Sequence, residues 1–156
     1  MRLLFKQRFF SWFDSYDIFD ENGNTVYVVK GELSWGHRLQ IYDAMGNPLG
    51  RVQERVLTWL PKFELYIDEQ FVGEIQKEFT LLRPKFHLDC NGWTVEGNFW
   101  EWDYAVMNRD RVVMRLSKEF WNWTDTYSMD ISRPEDALYC LMIVLAIDAV
   151  KCSQNN

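Results

Sequence analysis

The segment from Ala137 to Ile147 carries no charged residue and no polar stripe, and a helix that is apolar all round must be covered all round. It spans 11 residues before Asp148 interrupts it, whereas crossing a bilayer takes about 20, so the expectation is a buried helix and no transmembrane segment. Its start is marked by Ser132-Arg133-Pro134-Glu135, which reads as a capping box with proline in the first turn. These signals predict a helix over about 133–151.

The chain before it has a different texture. Turn signals recur at Asp20-Glu21-Asn22-Gly23-Asn24, Asp43-Ala44-Met45-Gly46-Asn47-Pro48, Asp68-Glu69-Gln70, Cys90-Asn91-Gly92 and Asn108-Arg109-Asp110. Between them lie short runs rich in β-branched and aromatic residues, such as Thr25 to Val29, Leu39 to Tyr42, Phe63 to Ile67 and Val112 to Leu116, the signature of successive hairpins. Aromatics make up 17% of the 156 residues, which favours strands. In a chain of strands, the place that surrounds a helix is the inside of a barrel. The fold class expected is mainly β: a closed antiparallel barrel of about twelve strands, over about 2–131, with a central C-terminal helix, all in one domain over 1–156.

A weak repeat supports reuse of a strand pair. Gly50, Val52 to Val56 and Pro61 to Leu65 recur as Gly73, Ile75 to Phe79 and Pro84 to Leu88, each position offset by 23 residues. The central pentad also stands at Phe5 to Phe9 and Leu116 to Phe120. Alternation puts Gln7, Glu54, Lys77 and Lys118 on the apolar face of their strands. One reading is a β-bulge that turns each of them outward. The other is a belt of inward polar groups, with Glu54 paired to Lys77 or Lys118, since buried charges persist only when paired.

Composition narrows function mainly by exclusion. With 17 basic against 23 acidic residues and a formal charge of −6, the chain is no candidate for nucleic-acid binding. Three cysteines at wide spacing, Cys90, Cys140 and Cys152, call for no oxidising compartment, and charges interrupt the apolar residues at Met1 to Phe10, so a cytoplasmic location is expected. His87 and Cys90 are spaced as a metal pair, but no second pair completes a tetrahedral site; neither metal nor cofactor is expected. Glu96, Glu101 and Asp103 stand among Trp93, Trp100, Trp102 and Tyr104, a pattern that could serve carbohydrate chemistry. As a strand, however, it places Trp100, Trp102 and Tyr104 in the core and the carboxylates opposite. No nucleophile elbow or phosphate-binding glycine loop is present. Asp125, between Thr124 and Thr126, reads as a turn organiser.

The order of elements resembles the LURP-one-related family. The residues that carry the resemblance are Lys6-Gln7, Asp20 to Gly23, Pro84-Lys85-Phe86, Glu96 to Trp100, Trp123 to Tyr127 and the helix from Glu135 to Asp148. The resemblance implies a tubby-like fold, a closed barrel threaded by a C-terminal helix, a fold also attributed to phospholipid scramblases. It implies little about activity: plant relatives are linked to defence, and the basic pocket by which tubby proteins hold phosphoinositides does not map onto this chain. The cysteine-rich and calcium-linked features of scramblases are missing.

The function expected is therefore a non-enzymatic binding or scaffold module, its partner an anionic lipid head group or another protein. A carbohydrate-acting hydrolase or lectin-like binder is the alternative. Arg83, Lys85, Arg109 and Arg111, at strand ends and turns, are the candidate binding residues, and any membrane contact would be peripheral, through these basic groups at one rim.

Overall fold

A computed structural model of the chain describes residues 1–6, 15–32, 34–78, 85–89, 91–119 and 126–154, with the side chains of 78, 85, 87 and 152–154 left out. The strands among these residues are β1 (Arg2–Lys6), β2 (Ser15–Phe19), β3 (Thr25–Glu32), β4 (Arg38–Asp43), β5 (Pro48–Glu54) and β6 (Lys62–Ile67). They continue as β7 (Gln70–Glu78), β8 (Lys85–Leu88), β9 (Trp93–Asn98), β10 (Asp103–Asn108), β11 (Arg111–Glu119) and β12 (Thr126–Ile131). Each strand from β2 to β12 pairs antiparallel with its neighbour in sequence. β1 pairs with β12 over five registered residues, from Arg2↔Asp130 to Lys6↔Thr126. It also meets β2 at one registered pair, Leu4↔Phe19. The 23-residue repeat corresponds to β5–β6 followed by β7–β8.

The helix α1 (Ala137–Gln154) follows a 3-10 turn, Pro134–Asp136. It begins later than the sequence signals suggest, and the capping box does not form. Ser132 instead extends the sheet: its backbone N–H donates to Val113 O at 2.9 Å and its hydroxyl to Val112 O at 2.8 Å. Arg133 takes the cap position with no side-chain bond. From Cys140 to Val150 every residue of α1 is buried, against inward side chains that include Leu3, Ile41, Leu65, Ile75, Leu88 and Leu116. At Gly50, β5 passes close to the helix. A Cβ there would collide with the Met142 methyl and lie 2.9 Å from Tyr66 O, so a side chain at this point of β5 would displace either the helix or the neighbouring strand.

Register breaks fall between Ile18 and Phe19, Ile41 and Tyr42, Leu65 and Tyr66, and Val106 and Met107, all beside tight hairpins. None falls at the polar pentad positions. Val52↔Leu65 runs in phase to Glu54↔Phe63, Ile75↔Leu88 to Lys77↔Phe86, and Leu116↔Met129 to Lys118↔Tyr127. The bulge expectation fails at Glu54, Lys77 and Lys118, which keep the phase of their buried neighbours. Gln7 lies outside the described residues.

Candidate functional site

In a meander of antiparallel strands, successive connections alternate between two ends of the sheet. The connections β2–β3, β4–β5, β6–β7, β8–β9 and β10–β11 lie at one end, together with the entry to α1. Two of these turns are built alike. Asp20 accepts from the backbone N–H groups of Asn22 and Asn24, both at 2.9 Å, and Asp43 from those of Met45 and Asn47 at 2.9 and 2.8 Å. The Asn24 and Asn47 side-chain amides add a further bond each, and these donors hold both carboxyls below the usual carboxylate range. This turn end is acidic: it also carries Glu21, Asp68, Glu69, Glu135 and Asp136.

The opposite end receives the connections from odd- to even-numbered strands and has the reverse character. Trp35 (89% exposed), Leu57 (103%), Trp59 (95%) and Trp100 (54%) project from it into solvent. The first three belong to one unit. Gly36, at φ +85°, packs so closely on Val56 that a Cβ would come within 2.7 Å of its Cγ1. Glu54 accepts from the His37 backbone N–H at 3.0 Å and has the His37 Nδ1 at 3.0 Å from the same oxygen, and the Glu54 N–H donates to His37 O at 2.7 Å. The His37 side-chain bond holds the Glu54 carboxyl below its ordinary value despite partial burial. Glu54 thus pairs with His37, not with Lys77 or Lys118. Thr58 closes the second connection through its hydroxyl, 3.2 Å from Arg55 O and 2.8 Å from Leu60 O, while Leu57 takes a left-handed φ of +63° at the tip. Nearby charges are paired: Arg38 with Glu32 at 2.8 Å, Lys62 with Glu74 at 2.5 Å and, more loosely, Arg55 with Glu64 at 3.9 Å.

The connection β9–β10 corrects a second expectation. Residues 99–102 form a turn, and Trp102 adopts φ +58°, which breaks the two-residue alternation. Phe99, Trp102 and Tyr104 are buried, and Trp100 points out. Glu101 and Asp103 are exposed. The end of α1 is tied to this turn: Lys151 Nζ lies 3.9 Å over the Trp102 ring and donates to Trp100 O at 3.2 Å.

The described members of the predicted basic group lie at two different ends of the sheet. Arg109 and Arg111 flank the β10–β11 hairpin at the acidic turn end, whereas Lys85 opens β8 at the other end. Arg83, Cys90, Trp123, Thr124 and Asp125 lie outside the described residues, as do the side chains of Lys85, His87 and Cys152.

One buried group went unread in the sequence. Asp148 sits on α1 at 5% exposure with Oδ2 unpartnered, and the hydroxyl of fully enclosed Tyr104 is unpartnered too. Burial raises the Asp148 carboxyl to about 7, with Lys151 opposing, and raises the Tyr104 phenol well above its ordinary value. Among the described residues no group of three or more His, Cys, Asp or Glu could hold a metal ion, and no helix is long and apolar enough to cross a membrane.

Comparison with known proteins gives the family. The chain is 30% identical over 151 residues to the uncharacterized protein YxjI of Bacillus subtilis (strain 168), covering 96% of this chain and 93% of that one. A solved structure of an Arabidopsis thaliana protein superposes with a TM-score of 0.66 at 15% identity, covering 94% of this chain and 89% of that one, a likeness of fold. With the LURP-one-related model matching residues 1–148, this chain belongs to the LURP-one-related family.

Proposed function

We propose that the chain is a non-enzymatic binding module whose sheet closes into a barrel around α1 and whose contact face is the end bearing Trp35, Leu57 and Trp59. Closure is supported by the bonding of β1 on both sides, to β12 and to β2, and by the burial of α1 from Cys140 to Val150. The observation that carries the binding role is the near-complete exposure of two tryptophans and a leucine on adjacent, internally braced connections. Large apolar side chains gathered on a rigid surface without cover are the usual mark of an interaction site. Against catalysis, the acidic and basic groups behind these tips are engaged with one another, and Asp148 and Tyr104 are enclosed by the core. A cleft lined by Lys77, Phe86, Phe99, Trp100 and Lys151 has a volume of about 10 Å³, room for roughly one water. The carbohydrate alternative rests on Glu96, Glu101 and Asp103 among Trp93, Trp100, Trp102 and Tyr104, but Trp93, Trp102 and Tyr104 are buried, which leaves Trp100 as the exposed ring of that group rather than a platform.

The test compares the two ends of the molecule. A photo-activatable amino acid is placed at Leu57 or, as control, at Met45, a similarly exposed apolar residue of the acidic turn end. Irradiation in the cells that make the protein is expected to give cross-linked products from position 57 and few from 45. Equal yields from the two positions would remove the contact face.

A further inference from the structure

The two ends of the sheet differ in chemistry as well as shape. Among the described residues, Trp35, Trp59, Trp100 and Trp102 lie on connections from an odd-numbered strand to the next even-numbered one; Trp93, which opens β9, is the exception. Of the described connections at that end, 34–37 carry no acidic or basic residue except His37, 55–61 carry Arg55, and 99–102 carry Glu101. Formal charge there cancels. The connections of the turn end, in contrast, hold Asp20, Glu21, Asp68, Glu69, Asp89, Asp110, Glu135 and Asp136 against Arg109 and Arg133, a formal excess of six negative charges. The molecule is polarised: an aromatic, neutral end and an acidic one.

On this basis, and resting on the binding-module reading above, we infer that the aromatic end docks on the water–lipid interface of a bilayer. Trp35, Leu57 and Trp59 enter it, and the acidic end faces away. Tryptophan is the side chain that favours the depth of lipid head groups, because its ring is apolar and its N–H still finds a partner there. The geometry suits a fluid surface. Among the described residues Trp35, Leu57 and Trp59 stand exposed on two neighbouring connections, and a bilayer demands no matching groove or patch. The strands behind them supply rigidity, since the Gly36–Val56 contact and the Glu54–His37 bonds lock the two leading connections together. The described connections at this end carry no net formal charge to attract an anionic surface, and the acidic end would be repelled by one. The docking is therefore apolar in origin, and it orients the molecule end-on.

The experiment is flotation of the full chain with phosphatidylcholine vesicles at low and high salt, and in parallel with vesicles containing an anionic lipid. Wild type is expected to float with the zwitterionic vesicles equally at both salt concentrations, because screening acts only on charge-driven binding. Trp35→Ser/Leu57→Ser/Trp59→Ser should lower the partition coefficient by about a hundredfold or more, given the apolar area withdrawn. Met45→Ser should leave it unchanged. All four positions are exposed, and a far-ultraviolet circular dichroism spectrum and urea midpoint matching wild type verify that each variant is folded. Failure to float on zwitterionic vesicles, flotation of the triple variant equal to wild type, or binding confined to anionic vesicles and abolished by salt would each overturn the proposal. Should position 57 cross-link to a protein in cells while purified protein ignores vesicles, the bilayer is wrong and the binding module stands. A concentration-dependent dimer that the triple substitution dissolves, again without vesicle binding, assigns the face to a second copy of this chain.

Discussion

Asp148 closes the apolar run that identifies the helix in the sequence, where it reads as the point at which the buried segment ends. The structure carries the helix beyond it and buries the carboxyl at 5% exposure, with Tyr104 as a buried polar neighbour. Nothing in sequence spacing marks such a residue, because burial of an acid depends on which strand crosses its face. It has a measurable consequence. The folded-state carboxyl titrates near 7 and an unfolded aspartate near 3.9, so the folded state holds a proton that the unfolded state has released throughout that interval. Stability then falls as pH rises from about 4 to about 7 and levels off above, by a total of order 4 kcal/mol. Asp20, Asp43 and Glu54 shift in the opposite sense and lose stability only as pH falls into the acid range, so urea midpoints at pH 5 and pH 8 isolate Asp148. Wild type should be clearly weaker at pH 8, and Asp148→Asn should lose most of that difference. Parallel pH profiles for the two proteins would show that the carboxyl is hydrated in solution.

At the scale of elements, what could be read was whatever periodicity and turn chemistry express. Asp43 through Asn47 and Asp20 through Asn24 announce their hairpins because the side chains that make the turns are in the turns. The β5–β6 and β7–β8 repeat is visible because its glycines and pentads recur at fixed distance. The start of α1 was misplaced because Ser132 had two ways to spend its hydroxyl, and the sheet, 20 residues away along the chain at Val112, outcompeted the helix end. Position 100 was placed on the wrong side because a left-handed residue at Trp102 cancels alternation, and such a residue has no signature in a tryptophan. Glu54, Lys77 and Lys118 were read correctly as in phase with the core by alternation alone, and the bulges invoked to remove them sit beside the hairpins instead. Gly50 offers a test of how closely wall and helix approach. Gly50→Ala must push against the Met142 methyl, which can move, and against Tyr66 O, which belongs to a paired strand. The expected cost is about 1–3 kcal/mol in denaturant unfolding, only partly recovered by Met142→Ala. Full recovery would place the strain in the side chain alone.

For the molecule as a whole, the sequence disclosed contents and order, but not ends. A linear reading of the candidate basic residues Arg83, Lys85, Arg109 and Arg111 leaves open whether their two turns are neighbours, and strand alternation separates Lys85 from the β10–β11 hairpin. The same alternation brings Trp35, Trp59 and Trp100, far apart in sequence, to one end. Strand parity, once the strands are counted, is the signal that would have found both. The remaining whole-molecule question is whether α1 is cargo or keystone. Leu141, Met142, Ile143, Val144, Leu145 and Ile147 are all buried, and at about 1.5–3 kcal/mol each their burial is comparable to the entire net stability of a domain, about 5–15 kcal/mol. Removing them would also bare the inward side chains that pack against α1, and would leave the β1–β2 seam with the single registered pair Leu4↔Phe19 to resist collapse. A chain ending at Ser132 is therefore expected to be insoluble or molten, with retained far-ultraviolet but lost near-ultraviolet circular dichroism and strong dye binding. Within the full chain, Leu141→Ala should cost about 2–5 kcal/mol, the penalty for a cavity at a site with no solvent to fill it. A soluble truncation with native near-ultraviolet spectrum, or a Leu141→Ala variant as stable as wild type, would mean that the strands hold their shape without the helix and that α1 is an occupant.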